Sequence, residues 1–269
     1  AFPRIYDAIK NAEHYILIEF FIIKNDSVGQ NLKDLLIERA RAGIRIYMLY
    51  DEIGSHKLPP GYISALRKEG VNIEPFNGKR HFLSNILRLN FRNHRKLVVV
   101  DGATAFIGGM NIADRYVRGT QWGTWRDTHF RIEGSGAAGL QASFLSDWSA
   151  TTKTHISGPE YYPPVGHFTD DILQIAPSGP FGKWRALLQA DSYAIARARQ
   201  RIWIQTPYYL PSEVLNTALQ EAALAGIDVH LMLPARSDSK VVDLATHSYL
   251  DDMMKAGVKI SFYKPGFLH

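Results

Sequence analysis

The residues best suited to chemistry lie in Asn93-His94-Arg95-Lys96-Leu97-Val98-Val99-Val100-Asp101 and in Gly108-Gly109-Met110-Asn111 just after it. A histidine and a lysine two apart, leading into an apolar run, are expected on one face of a strand, because strand side chains alternate between faces. One imidazole and one ammonium would then converge on the same spot. Asn111 is expected to return to that spot on the next strand, after a turn at Asp101-Gly102, a dipeptide that favours tight hairpins. A nucleophile or proton carrier, a fixed positive charge and a neutral donor together suit a phosphate. Taken singly the residues say less: a histidine near a strand is ordinarily structural, a strand-end lysine is ordinarily solvated, and Asp-Gly is an ordinary turn. The whole pattern, His-x-Lys-x4-Asp-x6-Gly-Gly-x-Asn, carries the reading.

The elements that must position these groups alternate. Phe2 to Ala12 is predicted helical and Tyr15 to Ile23 a buried strand. Leu32 to Ala42 and Tyr62 to Glu69 are predicted helices, with Ile44 to Tyr50 and Val71 to Pro75 as strands. Lys96 to Val100 and Ala103 to Ile107 are predicted to pair as a hairpin. Thr128 to Ile132 is a further strand, and Gly139 to Trp148 a helix. Such alternation implies an α/β fold. A Gly/Pro/Tyr-rich break, Gly158 to Gly166, separates two halves, and the second half repeats the first. Lys183 to Arg199 matches the opening helix. Ile202-Trp203-Ile204-Gln205 matches Ile16-Leu17-Ile18-Glu19, Ala225-Gly226-Ile227 matches Ala42-Gly43-Ile44, and Gly257-Val258-Lys259-Ile260 matches Gly70-Val71-Asn72-Ile73. Repetition on this scale means two copies of one unit, expected at 1–157 and 158–269. The counterpart of His94 then falls at His269, the last residue, so the second copy is expected to be cut at its motif histidine. The chain also opens at Ala1, without Met, directly in a helical pattern, which suggests an internal piece.

Composition sets further bounds. The chain of 269 residues has no cysteine, which removes disulfides, thiolate zinc sites and a thiol nucleophile. The longest apolar run, Tyr15 to Ile23, is broken by Glu19 and too short for a bilayer, which needs about 20 residues. From Pro75 to Val100 there is no Asp or Glu, while Lys79, Arg80, Arg88, Arg92, Arg95 and Lys96 together exceed the net charge of +5 of the whole chain. A field of this sign attracts anionic partners. Interleaved Phe82, Leu83, Ile86, Leu87, Leu89 and Phe91 suit an anionic lipid surface. Aromatic residues are too thin there to favour single-stranded nucleic acid.

The motif resembles the signature of the phospholipase D superfamily. Within it the chain looks like the bacterial-type cardiolipin synthases, on Ile18-Glu19-Phe20-Phe21, Asn90-Phe91-Arg92-Asn93-His94-Arg95-Lys96, Phe106-Ile107-Gly108-Gly109-Met110-Asn111-Ile112, Trp125-Arg126-Asp127-Thr128-His129 and Gln205-Thr206-Pro207-Tyr208-Tyr209. Gly109 is telling, because many other members of the superfamily carry Ser there. The run Tyr263 to Leu268 resembles the approach to the family's second motif. The resemblance implies an α/β fold of two pseudo-symmetric repeats, each a mixed sheet flanked by helices. It also implies a transferase that joins two phosphatidylglycerols into cardiolipin at the cytoplasmic face of a bacterial membrane.

In that family two motif histidines face each other across a phosphodiester. His94 is assigned by resemblance as the nucleophile that forms a phosphohistidine, and His269 as the acid and base. Covalent catalysis of this kind splits one hard displacement into two. Lys96 and Asn111 would stabilise the non-bridging oxygens. Asp127 is the candidate carboxylate to hold the His94 ring, as an aspartate holds its histidine in a triad. Asp101 belongs to the motif but is better suited to tie turn and strand together. Glu19, Gln205, Arg92, Gly108 and Gly109 are the candidate substrate-binding residues. Glu19 is costly to bury unless hydrogen-bonded, and its counterpart Gln205 points to hydrogen bonding as the shared role, not charge. No cofactor and no metal are implied: His129, His155 and His167 lack zinc-ligand spacing. Two other readings stay open: a phospholipase or nuclease using water as acceptor, and a non-catalytic module that binds anionic surfaces.

Overall fold

Helix α1 (Phe2–Lys10) turns Phe2, Ile5 and Ile9 inward at helical spacing and delivers the chain to β1 (Tyr15–Phe20), whose six residues are all buried. The computed structural model describes residues 1–76, 92–162, 171–179 and 184–269. Lys79, Arg80, Arg88 and the interleaved Phe82, Leu83, Ile86, Leu87, Leu89 and Phe91 lie outside the described residues, as do His167 and Lys183. Two units are distinguished: Ala1–Asp114 with Thr128–Ile175, and Arg115–Asp127 with Ala176–His269. Residues 115–127 thus belong to a different unit from the segments on either side of them.

In the first unit β1 is followed by α2 (Ser27–Arg41), β2 (Arg45–Asp51), α3 (Pro60–Lys68) and β3 (Asn72–Phe76). After the basic segment come β4 (Lys96–Val100), β5 (Thr104–Gly108), β7 (His129–Glu133) and α5 (Ser135–Thr152). The intervening α4 (Arg115–Arg118) and β6 (Thr124–Arg126) belong to the second unit. The sheet order is β3-β2-β1-β4-β5-β7. β1, β2 and β3 run parallel, and β4, β5 and β7 are antiparallel to their neighbours. One face of the sheet, with Tyr15, Leu17, Leu97, Val99 and Ala105, packs on Ala137, Leu140, Phe144 and Trp148 of α5. Ile16, Ile18 and Phe20 on the other face are equally buried. A strand buried on both faces reads as a continuous apolar run, which is why Tyr15 onward looked like one. Each such side chain taken from water stabilises the fold by about 1.5–3 kcal/mol.

The turn between β4 and β5 is built as its dipeptide suggests. Asp101 has φ 51° and Gly102 φ 64°, the paired left-handed geometry that matches the twist of a hairpin. Asp101 is one of only two non-glycine residues with positive φ among those described. Its carboxylate accepts backbone N–H bonds from Glu13, His14 and Tyr15 at 2.8–2.9 Å. The turn therefore fixes where β1 starts against β4.

In the second unit α6 (Ala186–Arg197), β8 (Arg201–Gln205), α7 (Glu213–Leu224), β9 (Asp228–Pro234), α8 (Lys240–Lys255) and β10 (Lys259–Tyr263) follow in turn. The strands form a parallel sheet of order β10-β9-β8, the same arrangement as β3-β2-β1. Val229, Leu231, Leu233, Leu250 and Met253 lie in its core. The repeat extends to backbone detail. Gly43 and Gly226 both end a helix at φ 89°, and Gly70 and Gly257 do so at 88° and 96°, the left-handed C-terminal conformation that glycine adopts at least cost. The two repeats differ on the strand face that α5 covers in the first unit. Tyr15, Leu17 and Glu19 of β1 are buried, whereas their counterparts Arg201, Trp203 and Gln205 of β8 are exposed. A short β11 (Gly266–Leu268) pairs in parallel with β6.

Candidate active site

Within the first unit the motif residues gather where β4 begins and β5 ends. β4 starts at Lys96, so His94 precedes the strand and does not share a strand face with Lys96 as alternation suggested. The two are joined differently: the Lys96 ammonium donates to the backbone carbonyl of His94 at 2.5 Å. Lys96 is 3% exposed and lies 5.4 Å from the centre of the Phe21 ring, a cation–π geometry. The same ring lies 4.6 Å from the His94 imidazole. His94 itself is exposed, while Asn93 before it is buried. An exposed histidine on an immobilised backbone, its ring held against Phe21, is suited to nucleophilic attack.

Asn111 lies beyond β5, not on it. Its Oδ1 accepts from the backbone N–H of Ile22 at 2.9 Å. Backbone bonds on each side, Lys24 N–H to Ile112 O and Ile112 N–H to Ile22 O, lace the two segments together. A pair of aspartates completes the lacing, and sequence reasoning missed it. Asp26 caps α2 through Gly29 N–H and accepts from Asp114 N–H, while Asp114 accepts from Val28 N–H. The signal was Asp26 directly before a helical pattern, a common N-cap. At Gly108 the chain passes so close to β7 that a Cβ would meet Thr128 O at 2.3 Å and His129 Cα at 2.6 Å. Only glycine fits there. Gly109 N–H then donates to Thr128 O at 3.0 Å.

A buried polar network lies behind His94. Asn93 donates through Nδ2 to Glu19 Oε1 and, at 3.4 Å, to Asp147 Oδ2. Arg95 pairs with Asp147. The Asn93 backbone N–H donates to Asp51 Oδ2 at 3.2 Å. Burial first, and then the charge of Asp147, push the Glu19 carboxyl well above the usual carboxylate range. Burial raises Asp147 and Asp51 as well. Glu19 is 1% exposed, so its carboxyl meets Asn93 and not solvent. Asp147 and Asn93 were not singled out from sequence. Asp147 lies three residues after Phe144 on the buried stripe of α5, and that position was the available signal. Of the other candidates, Arg92 is exposed and its charge acts on Asp51. Gln205 lies on exposed β8, 3.7 Å from Met232 Sδ.

In the second unit β6 and β11 hold a further cluster. Phe267 is fully buried and its ring lies tilted against Trp125, 4.5 Å between centres. Gly266 passes so close to Thr124 that a Cβ would lie 1.9 Å from its carbonyl oxygen. This pairing places His269, whose N–H donates to Arg126 O at 2.8 Å. His269 Nδ1 lies 2.7 Å from Asp127 Oδ2. The sequence reading gave Asp127 to His94; in the structure it engages His269. The physical reason is local, since Leu268 pairs with Arg126 across the two strands and carries the next residues, His269 and Asp127, side by side. Tyr116 and Trp125 border the imidazole at 6.4 and 5.5 Å between ring centres. The Arg115 guanidinium lies 4.5 Å from the Trp125 ring. Among the described residues no three His, Cys, Asp or Glu side chains gather as a metal site requires.

The family described as "Cardiolipin synthase, PLD-like domain" matches residues 5–148 and 193–269. A cardiolipin synthase of Geobacillus kaustophilus is 43% identical over the whole chain and 54% of its own length. Cardiolipin synthase A of Pseudomonas fluorescens is 41% identical over the whole chain and 56% of its own length. The chain thus spans about half the length of the curated relatives it matches. Among solved structures, the phosphatidylserine synthase of Haemophilus influenzae superposes over 98% of the chain and 71% of its own, with TM-score 0.66 and 15% identity, a likeness of fold.

Proposed function

Since the chain belongs to the family of cardiolipin synthase, PLD-like domains, we propose that it carries out phosphatidyl transfer, joining two phosphatidylglycerols into cardiolipin and releasing glycerol. The observation that carries this reading is the identity of 40–43%, over the whole of this chain, to proteins named cardiolipin synthase. In the proposed reaction an imidazole nitrogen of His94 attacks the phosphorus of the first phosphatidylglycerol. The bond to glycerol breaks, and the glycerol alkoxide takes a proton from His269. The hydroxyl of a second phosphatidylglycerol then gives its proton to His269 and attacks the phosphohistidine, which yields cardiolipin and frees His94. Proton transfer of this kind supplies about 10²–10⁴-fold. Asp127 orients the acid–base imidazole, as the aspartate of a triad does. Lys96 and Asn111 offset charge on the phosphoryl oxygens.

Residues 1–157 and 158–269 are the two phospholipase D-like halves in this proposal, each with one motif histidine, His94 and His269. The substrate-facing membrane is the bacterial cytoplasmic membrane, reached from the cytoplasmic side, with the basic segment before His94 meeting anionic headgroups. Among the described residues no helix is long and apolar enough to cross a membrane. The test is product analysis with the complete gene product. Phosphatidylglycerol vesicles should yield cardiolipin and free glycerol in equal amounts. Phosphatidic acid as the sole lipid product would assign hydrolysis instead. Cleavage of single-stranded DNA with lipid untouched would assign a nuclease, and binding of vesicles without turnover a surface module.

A further inference from the structure

We infer that Glu19 of β1 and Asp147 of α5 act together as a clamp on Asn93, sharing one proton between their carboxyl groups, and so position the backbone from which His94 projects. The inference rests on the proposed role of His94 as nucleophile and adds two residues that never meet the phosphate.

The geometry is that of a fully engaged side chain. Asn93 is 4% exposed. Its N–H donates to Asp51, its Nδ2 faces both Glu19 and Asp147, and its Oδ1 accepts from Arg95 N–H at 3.0 Å. One peptide bond further, the His94 carbonyl is held by Lys96. The peptide units on both sides of His94 are therefore fixed while the residue itself remains exposed beside the Phe21 ring. A displacement of about 1 Å at a reacting group can cost about 100-fold in rate.

Charge balance requires the shared proton. Arg95 supplies one cation to the pair, whereas Glu19 and Asp147 would together supply two anions to a buried site. Two carboxylates that crowd one amide cannot both ionise cheaply. Among the described residues Glu19 Oε2 is buried without a hydrogen-bond partner. Protonated, that oxygen becomes a donor, and the Asp147 carboxylate, which shares the Asn93 amide with Glu19, is the acceptor within the same cluster. The upward displacement of both carboxyls agrees with this arrangement, in which the pair titrates as one system. The other repeat carries Gln205 at the equivalent position, a neutral side chain with the same donor and acceptor ends.

The test compares Glu19→Ala and Glu19→Gln in the complete gene product, with kcat, KM for phosphatidylglycerol, melting temperature and the infrared carboxylic-acid band. Glu19→Ala should lower kcat about 100-fold with KM little changed, as loss of positioning predicts. Glu19→Gln should recover kcat to within about tenfold of the parent, since an amide accepts from Asn93 and donates to Asp147. The parent should show a protonated-acid C=O band at neutral pH that Glu19→Gln removes. Equal damage by Gln and Ala, or no such band in the parent, overturns the clamp. If Glu19→Ala does not fold, Glu19→Gln and the band still decide. If the parent forms no cardiolipin, the proposed function fails while the band continues to report on the shared proton.

Discussion

Asp127 and His269 meet through Oδ2 and Nδ1 at 2.7 Å although 142 positions separate them in the chain. The carboxylate side chain is 4% exposed and the imidazole 17%, so the carboxylate is sheltered and the imidazole keeps some exposure. The bond fixes the ring orientation and, in the proposed reaction, leaves Nε2 as the end that exchanges protons. Asp127→Asn should keep the β6–β11 pairing and lower kcat by about 10²–10⁴-fold, because an amide cannot hold the imidazole in the same tautomer or stabilise its charged form. Steady-state kinetics with circular dichroism as a folding control measures this. A variant with the parent's kcat would remove His269 from the acid–base role.

Asp101 serves the fold. It receives three backbone N–H bonds from residues 13–15 and holds positive φ at the turn. Hydrogen bonds to a charged acceptor contribute about 1.5–3 kcal/mol each and do not add fully. Asp101→Ala should therefore destabilise the first unit by about 3 kcal/mol in urea unfolding. A loss inside about 0.5 kcal/mol, the range of ordinary surface changes, would contradict the assignment.

These residues mark how much could be read in advance. The hairpin, the repeated Ala-Gly-Ile punctuation and the alternation of helix and strand follow from patterns that local sequence carries: turn chemistry, helix ends and apolar runs. Strand bounds moved by a residue or two, and β1 ended at Phe20 where an apolar run extended to Ile23. The partner of Asp127 and the Asn93 network were not legible, because each depends on which distant segment lies alongside. Asp147 reads as one more surface charge on a helix unless its register against Phe144 and Trp148 is considered. Glu19 was visible as an anomaly, a carboxyl inside a buried strand, but its neighbours were not.

The Glu19–Asp147 pair should make stability fall as pH rises. Both carboxyls stand above their ordinary values in the folded chain, Glu19 well above 4.5. In that window the folded state binds more protons than the unfolded state, so the free energy of unfolding declines with pH. The contribution is complete below about 4.5, where the unfolded carboxyl is also protonated, and is lost as pH climbs through the folded value. Melting temperature from pH 5 upward should slope downward in the parent and be flatter in Glu19→Gln. Identical slopes would place the titration elsewhere.

The basic segment before His94 should bring the chain to anionic membranes. Neutralising Lys79, Arg80, Arg88 and Arg92 should weaken binding to phosphatidylglycerol vesicles by about 1 kcal/mol for each charge near the surface. The effect should shrink with salt as the Debye length falls from about 10 Å at 0.1 M. Co-sedimentation with vesicles at two ionic strengths measures it. Unchanged binding in the quadruple variant would remove the segment from the membrane contact.

His94 and Lys96 should fail in different ways. His94 is the exposed group and carries the proposed covalent bond, so phosphorus-labelled phosphatidylglycerol should label the parent and leave His94→Ala unlabelled. Lys96 is buried, with its ammonium on the His94 carbonyl and near the Phe21 ring. In the proposed reaction it has two tasks, to hold the nucleophile's backbone and to place positive charge beside the phosphate. An arginine keeps the charge but replaces a compact ammonium with a wide planar fork, which a closed pocket does not accept. Lys96→Arg should therefore still form some phosphoenzyme, at a rate lower by about 100-fold or more, while Lys96→Met should lose both charge and anchor and label more slowly still. Rapid-quench labelling of the three variants resolves the order. Labelling of Lys96→Arg at the parent's rate would mean that charge alone matters there, and labelling of His94→Ala would move the covalent step to another residue.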